Sequence, residues 1–216
     1  MQYIAIDLLG FGSSDKPDFI DYDIKTHARS VVYTIRKQRF NPSQVIIVGH
    51  SLGSLIAIEI AKIYSRKIDA LILCSPPFYI ESSNKRLPSS DDILKNLYEF
   101  TRENPENFLE IATIAKKYNI VTNSFELNKN NIFAYMNTLK YSIINQSSLR
   151  DAINLPKNIQ INIIRGILDP LVLNKNLKLL KSLRPNTDVK TVASSHDITP
   201  KYEKIIKDDL LKIINQ

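Results

Sequence analysis

Val45-Ile46-Ile47-Val48-Gly49-His50-Ser51-Leu52-Gly53 is the stretch whose reading decides the fold. Four apolar residues of strand character lead into a serine flanked at two places by glycine, and an apolar stretch of helical length follows. The reading is strand, sharp turn, helix, with Ser51 at the apex. Such a turn forces the serine into an unfavourable backbone conformation. It also predicts that Gly49 and Gly53 are small because their backbones nearly touch. The chain holds only five glycines, Gly10, Gly12, Gly49, Gly53 and Gly166, and two of them frame this serine.

Working outward, strand-length apolar runs alternate with helical patterns, which predicts a parallel α/β sheet with helices on both faces. Strands are expected at Tyr3–Asp7, Val45–Val48 (short and buried), Ala70–Cys74, Ile159–Arg165 and Asp188–Ala193. Helices are expected over Ile24–Arg39 and Ser51–Tyr64. A last helix opens at Pro200 behind a Thr199 cap, with Tyr202, Ile206, Leu210 and Ile213 facing inward.

Residues 78–156 interrupt the alternation. Ser90-Asp91-Asp92 and Asn104-Pro105 read as helix starts, and Asn131–Asn145 as a third helix. This segment carries ten of the eighteen aromatic residues, an enrichment that suits a lid with an apolar underside over a small, largely apolar substrate. The expected organisation is a core of residues 1–77 and 157–216, with a helical lid inserted at 78–156.

A serine hydroxyl is a weak nucleophile and needs a base, and the base needs an acid to fix its tautomer. There are three histidines. His27 falls inside a helix and reads as a surface or internally satisfied residue. His50 adjoins Ser51, so its side chain points away from the serine side chain. His196 follows the last strand, where ligands bind at the carboxyl ends of open sheets. Asp169 stands just past another strand, 27 positions before His196. The pattern G-x-S-x-G with the order Ser51, Asp169, His196 points to nucleophilic acyl chemistry, with the Leu52 N–H as an oxyanion donor. Asp197 is a poorer candidate acid, since an immediate neighbour seldom reaches the imidazole well.

Composition narrows the alternatives. The net charge of +7 comes from lysines spread along helices, without a basic run or a nucleic-acid motif, so no nucleic-acid partner is expected. The single Cys74 lies in an apolar strand, which favours packing and a reducing, cytoplasmic setting. No run is long enough to span a membrane and no secretory leader is legible. Gly10-Phe11-Gly12 lacks the third glycine of a dinucleotide loop. No metal-ligand spacing stands out, so no cofactor or metal is expected.

Taken together, the chain resembles the α/β-hydrolase superfamily, in its lid-bearing esterase and carbon–carbon hydrolase branch. Asp7-Leu8-Leu9-Gly10-Phe11-Gly12-Ser13-Ser14-Asp15-Lys16-Pro17 looks like the family's Asp-x-x-Gly-x-Gly-x-Ser segment after its fourth strand. Gly49–Gly53 looks like its nucleophile elbow. Leu155–Gly166 with Asp169 looks like the penultimate strand with its acid, and Ser195-His196 occupies the place of its histidine, with serine where glycine is usual. The resemblance implies a Ser51–His196–Asp169 triad acting on an ester, thioester or related acyl or carbon–carbon bond. It also implies three strands before Tyr3 and a His-Gly oxyanion loop, neither of which this chain carries. The expectation is therefore either a shortened or impaired hydrolase, or half of a split protein whose partner segment supplies those strands.

Overall fold

The computed structural model describes residues 2–38, 42–79, 128 and 130–215, with positions 107, 109, 110, 113 and 114 between them. The helix starts expected at Ser90 and Asn104 lie outside the described residues. Strands β1 (Ile46–His50), β2 (Ala70–Cys74), β3 (Gln160–Gly166) and β4 (Asp188–Val192) form one parallel sheet in the order β1-β2-β3-β4. Parallel neighbours need crossovers, and helices supply them. These are α1 (Ile24–Lys37) before the sheet, α2 (Leu52–Ile63) after β1, and α3 (Ile132–Thr138) and α4 (Ser148–Asn154) before β3. Then come α5 (Asn174–Leu183) after β3 and α6 (Pro200–Ile214) after β4. A π-helical segment, Leu139–Ile144, continues α3.

The strands alternate sides, and each side has its own apolar cluster. Leu71, Leu73, Ile161 and Ile163 join residues of α1, α2, α4 and α5, including Ala28, Leu55, Leu149 and Leu180. Ala70, Ile72, Cys74 and Ile164 join Tyr202 and Ile213 of α6 on the opposite face. A strand packed on both faces is apolar at nearly every position, and β2 is buried throughout. Helix α2 is likewise buried from Ser54 to Ala61. Cys74 is sealed in the α6 cluster, and burial pushes its thiol up to about 12, which suits packing. No helix among the described residues is long and apolar enough to cross a membrane.

Two expectations change at the start of the sheet. Residues 3–7 do not form a strand: Tyr3 is 81% and Ile4 42% exposed, and the segment has no ladder partner among the described residues. An apolar run becomes a strand only when another strand accepts its hydrogen bonds. The first strand is instead Ile46–His50, shifted from Val45–Val48 and only partly buried, with Val48 41% exposed. It pairs on one side with β2, so its other edge is open among the described residues.

His27 takes the internal one of the two places the sequence left open, for it is fully buried. Its Nε2 meets Thr138 Oγ1 at 3.3 Å, and Phe11 and Tyr22 pack against its ring. Burial lowers its pKa to about 4, against weaker upward pulls from Asp23 and the Tyr22 backbone. The folded value lies below the unfolded one, so the unfolded chain binds the proton more readily. The stability His27 allows is complete above about pH 6.5 and is lost as pH falls towards 4. The difference amounts to roughly 3 kcal/mol. Urea unfolding at pH 7.5 and pH 4 should show His27→Gln losing about that much less than the parent; equal losses would exclude His27 as the source.

Candidate active site

The carboxyl ends of the four strands bring the candidate residues together. Gly49 and His50 end β1, and Ser51 follows with φ 51° and ψ −119°. This strained conformation costs about 1–3 kcal/mol and is characteristic of functional turns. The Ser51 N–H donates to the Cys74 carbonyl at 2.8 Å, and the Ser54 hydroxyl donates to the Gly49 carbonyl at 2.7 Å, holding the turn. A Cβ on Gly49 would lie 2.3 Å from the Gly53 carbonyl oxygen, so no side chain fits there. The same test corrects the expectation for Gly53, where an added Cβ would meet nothing within 4 Å. The close approach is one-sided: the Gly49 Cβ direction points at the Gly53 backbone, whereas the Gly53 direction points into space.

Leu52 opens α2. Its N–H belongs to the first turn, whose amides have no acceptor inside the helix. An oxygen gaining negative charge beside Ser51 would find a donor and the positive end of the helix dipole there.

His196 lies beyond β4, the strand farthest from β1. With strands spaced ~4.8 Å apart, the sheet separates β1 from β4 by ~14 Å, which the loop after β4 must cross. Gly166 lets it cross low: a Cβ there would lie 2.1 Å from the Ser195 carbonyl oxygen and 2.5 Å from that of Ser194. The Leu168 N–H donates to the Ser194 carbonyl at 3.1 Å, tying the loop to the turn that carries Asp169.

Asp169 and His196 meet directly. His196 Nδ1 is 2.8 Å from Asp169 Oδ2, and both residues are buried. Burial alone would raise the Asp169 pKa. The His196 hydrogen bond and charge, with smaller help from Ser75 and the Leu171 N–H, hold it below the usual carboxylate range instead. The Leu171 N–H donates to Oδ1 at 2.9 Å, fixing the carboxylate plane. An ionised carboxylate only accepts, so the neutral His196 ring carries its proton on Nδ1 and presents a lone pair at Nε2. No hydrogen bond joins Ser51 Oγ to His196 among the described residues; such bonds are often long before substrate binds.

The structure thus places Ser51, Leu52, Asp169 and His196 at one end of the sheet. It adds His50, which the sequence set aside as a base, and Ser75, which it did not single out. His50 Nε2 lies 2.8 Å from the His196 carbonyl oxygen, with the two rings 5.0 Å apart. Ser75, with φ 48°, directly follows β2, helps hold the Asp169 carboxylate ionised and shares a 3.1 Å hydrogen bond with Tyr202. A separate cleft of about 250 Å³ between α1, α2 and the π-helical segment contains Glu59, Lys62 and Asp151 but none of the residues above. The Lys62 ammonium already bridges Glu59 and Asp151 there, at 3.1 and 3.2 Å.

A family model described as alpha/beta hydrolase fold matches residues 1–199. Epoxide hydrolase 1 of Caenorhabditis elegans is 27% identical over 242 residues, covering 99% of this chain and 58% of that protein. Probable lysophospholipase BODYGUARD 5 of Arabidopsis thaliana is 33% identical over 81 residues, 38% of this chain and 18% of that protein. The chain therefore spans less than a fifth of such plant relatives in alignment. Among solved structures, E-2-(acetamidomethylene)succinate hydrolase superposes with a TM-score of 0.68 at 18% identity, covering 97% of this chain and 80% of that one. At that identity the likeness speaks for the fold alone.

Proposed function

Because the chain belongs to the α/β hydrolase fold family, we propose that it is a serine hydrolase acting on an ester, thioester or related acyl (or carbon–carbon) bond of a small, largely apolar substrate. Ser51 Oγ attacks the acyl carbon while His196 Nε2 accepts its proton. The carbonyl oxygen becomes an oxyanion held by the Leu52 N–H. His196 then returns the proton to the departing group as the bond breaks. Water, deprotonated by His196, releases the acyl group from Ser51 by the same steps reversed. Asp169 keeps the His196 tautomer and stabilises the imidazolium. The observation that carries this reading is the buried 2.8 Å contact between His196 Nδ1 and Asp169 Oδ2. In this reading residues 1–77 and 157–216 are the core and 78–156 the lid insertion, whose last helix, α4, packs back into that core.

Labelling with a fluorophosphonate probe tests it. The folded chain should be modified at Ser51, and Ser51→Ala should abolish both labelling and ester hydrolysis. Full turnover by the Ser51→Ala variant would sink the mechanism.

A second reading has one observation in its favour. Among the described residues the outer edge of β1 is open, and Val48 of that strand is 41% exposed. That edge could receive a strand from a partner segment, which would bring a second oxyanion donor. Losing one such donor costs about 10²–10³ in turnover. On this reading a folded chain would label at Ser51 slowly or not at all until the segment is added.

A further inference from the structure

The chain must solve a positioning problem that the Ser51–His196–Asp169 reading leaves open. The candidate base rides on a loop that passes over Gly166 at the end of β3 and meets His50 at the end of β1. Asp169 holds the ring of that base from β3. Something must also hold its backbone from the β1 side, or the ring is free to swing about the Asp169 bond.

We propose that His50 is a positioning residue for His196, clamping its main-chain carbonyl to the end of β1; this rests on the serine-hydrolase reading above. His50 Nε2 lies 2.8 Å from the His196 carbonyl oxygen. A carbonyl oxygen can only accept, so Nε2 carries the proton and donates it. The donor and the nucleophile are neighbours in sequence, and the acceptor belongs to the candidate base. One hydrogen bond therefore links the Ser51 turn to the His196 loop across 146 positions of chain. The two rings pack at 5.0 Å with an angle of 43°.

A protonated His50 would still donate through Nε2, but it would set a second cation beside His196, which turns cationic during each turnover. Burial lowers the His50 pKa, and the His196 charge lowers it further; the His196 carbonyl, Asp169 and Asp197 pull weakly the other way. His50 thus keeps its donor without placing a second full charge beside the imidazolium.

The test compares His50→Gln, which keeps an amide donor near the position of Nε2, with His50→Phe, which keeps a ring and loses the donor. The readouts are steady-state hydrolysis of a p-nitrophenyl ester, the fluorophosphonate labelling rate at Ser51, thermal unfolding, and ¹⁵N NMR of histidine-labelled protein. His50→Phe should lower kcat and the labelling rate by about 10- to 100-fold with KM within about twofold, because sub-ångström displacement of a base is costly. His50→Gln should stay within about threefold of the parent in rate and keep the parent pH profile. In the parent, NMR should show His50 neutral and protonated on Nε2. Equal losses in both variants with lowered unfolding temperatures would make His50 merely structural and overturn the proposal. So would parent rates in His50→Phe, or a His50 protonated on Nδ1 alone. A folded parent that leaves Ser51 unlabelled would instead overturn the serine-hydrolase reading, and the NMR result would then decide alone whether the clamp exists.

Discussion

Asp169→Asn should lower ester turnover by about 10⁴-fold while leaving folding and KM near the parent values. The Asp169 carboxylate accepts the His196 Nδ1 proton at 2.8 Å, so Nε2 is left basic. An asparagine amide can turn its NH₂ towards Nδ1. The ring then moves its proton to Nε2 to accept that bond, and Nε2 can no longer take the serine proton. The imidazolium also loses the carboxylate that stabilises it. Asp169 Oδ1 already accepts the Leu171 N–H, which favours the amide oxygen at that position and points the NH₂ at His196. The geometry of the site therefore selects the wrong tautomer rather than merely permitting it. Steady-state kinetics with a p-nitrophenyl ester, and labelling at Ser51, would measure the loss. A variant within tenfold of the parent would remove Asp169 from the mechanism and reopen the case for Asp197. An asparagine variant that fails to fold would show up first in circular dichroism, and Asp169→Glu would then separate loss of charge from loss of fit.

What the sequence makes legible is what short-range geometry dictates. Gly49 is demanded by a backbone contact four residues away, so the turn around Ser51 is readable from a local pattern. Asp169 and His196 are readable because strand ends are readable and chain order arranges them. The last helix is readable from Thr199-Pro200 and its inward stripe, and Tyr202 and Ile213 are indeed buried. Other features depend on partners far along the chain. Residues 3–7 have strand composition, but a strand needs a neighbour, and composition says nothing of whether one arrives. Val48 reads as buried because an edge strand and a central one share the same apolar alphabet. His27 reads as a helix residue either at the surface or internally satisfied; contact with Thr138, 111 positions away, decides for the interior. His50 is the sharpest case. The sequence sets it aside as a base, and gives no signal that its ring ends on the His196 carbonyl.

Arg184→Ala should destabilise the fold by about 3–5 kcal/mol, a large part of the ~5–15 kcal/mol that holds a domain of this kind. Arg184 ends α5 and is 0% exposed. No carboxylate pairs with it among the described residues. Its guanidinium donates instead to three carbonyls on the connector from α4 to β3: Nη1 to Leu155, and Nη2 to Pro156 and Ile159. Burial lowers its pKa, yet three carbonyl dipoles in a fork that only guanidinium matches keep it charged. Replacing a buried ion pair with apolar groups can be harmless when both partners leave together. Here only one partner can be removed. The Leu155 and Ile159 carbonyls are main-chain groups in buried residues, and each orphaned acceptor costs about 1–3 kcal/mol. Pro156 is exposed and can turn its carbonyl to water, so it adds little. Alanine also leaves a cavity beneath the connector. Arg184→Met separates the two contributions, since methionine fills the space and donates nothing. If the carbonyls dominate, methionine should recover less than half of the alanine loss in urea unfolding, and lysine, with one donor group able to reach them, should recover more. Methionine at parent stability would mean that packing, not carbonyl satisfaction, is what Arg184 provides. Esterase activity of the alanine variant, measured well below its unfolding transition, should stay near the parent, because Arg184 supports the connector into β3 and touches neither Asp169 nor His196.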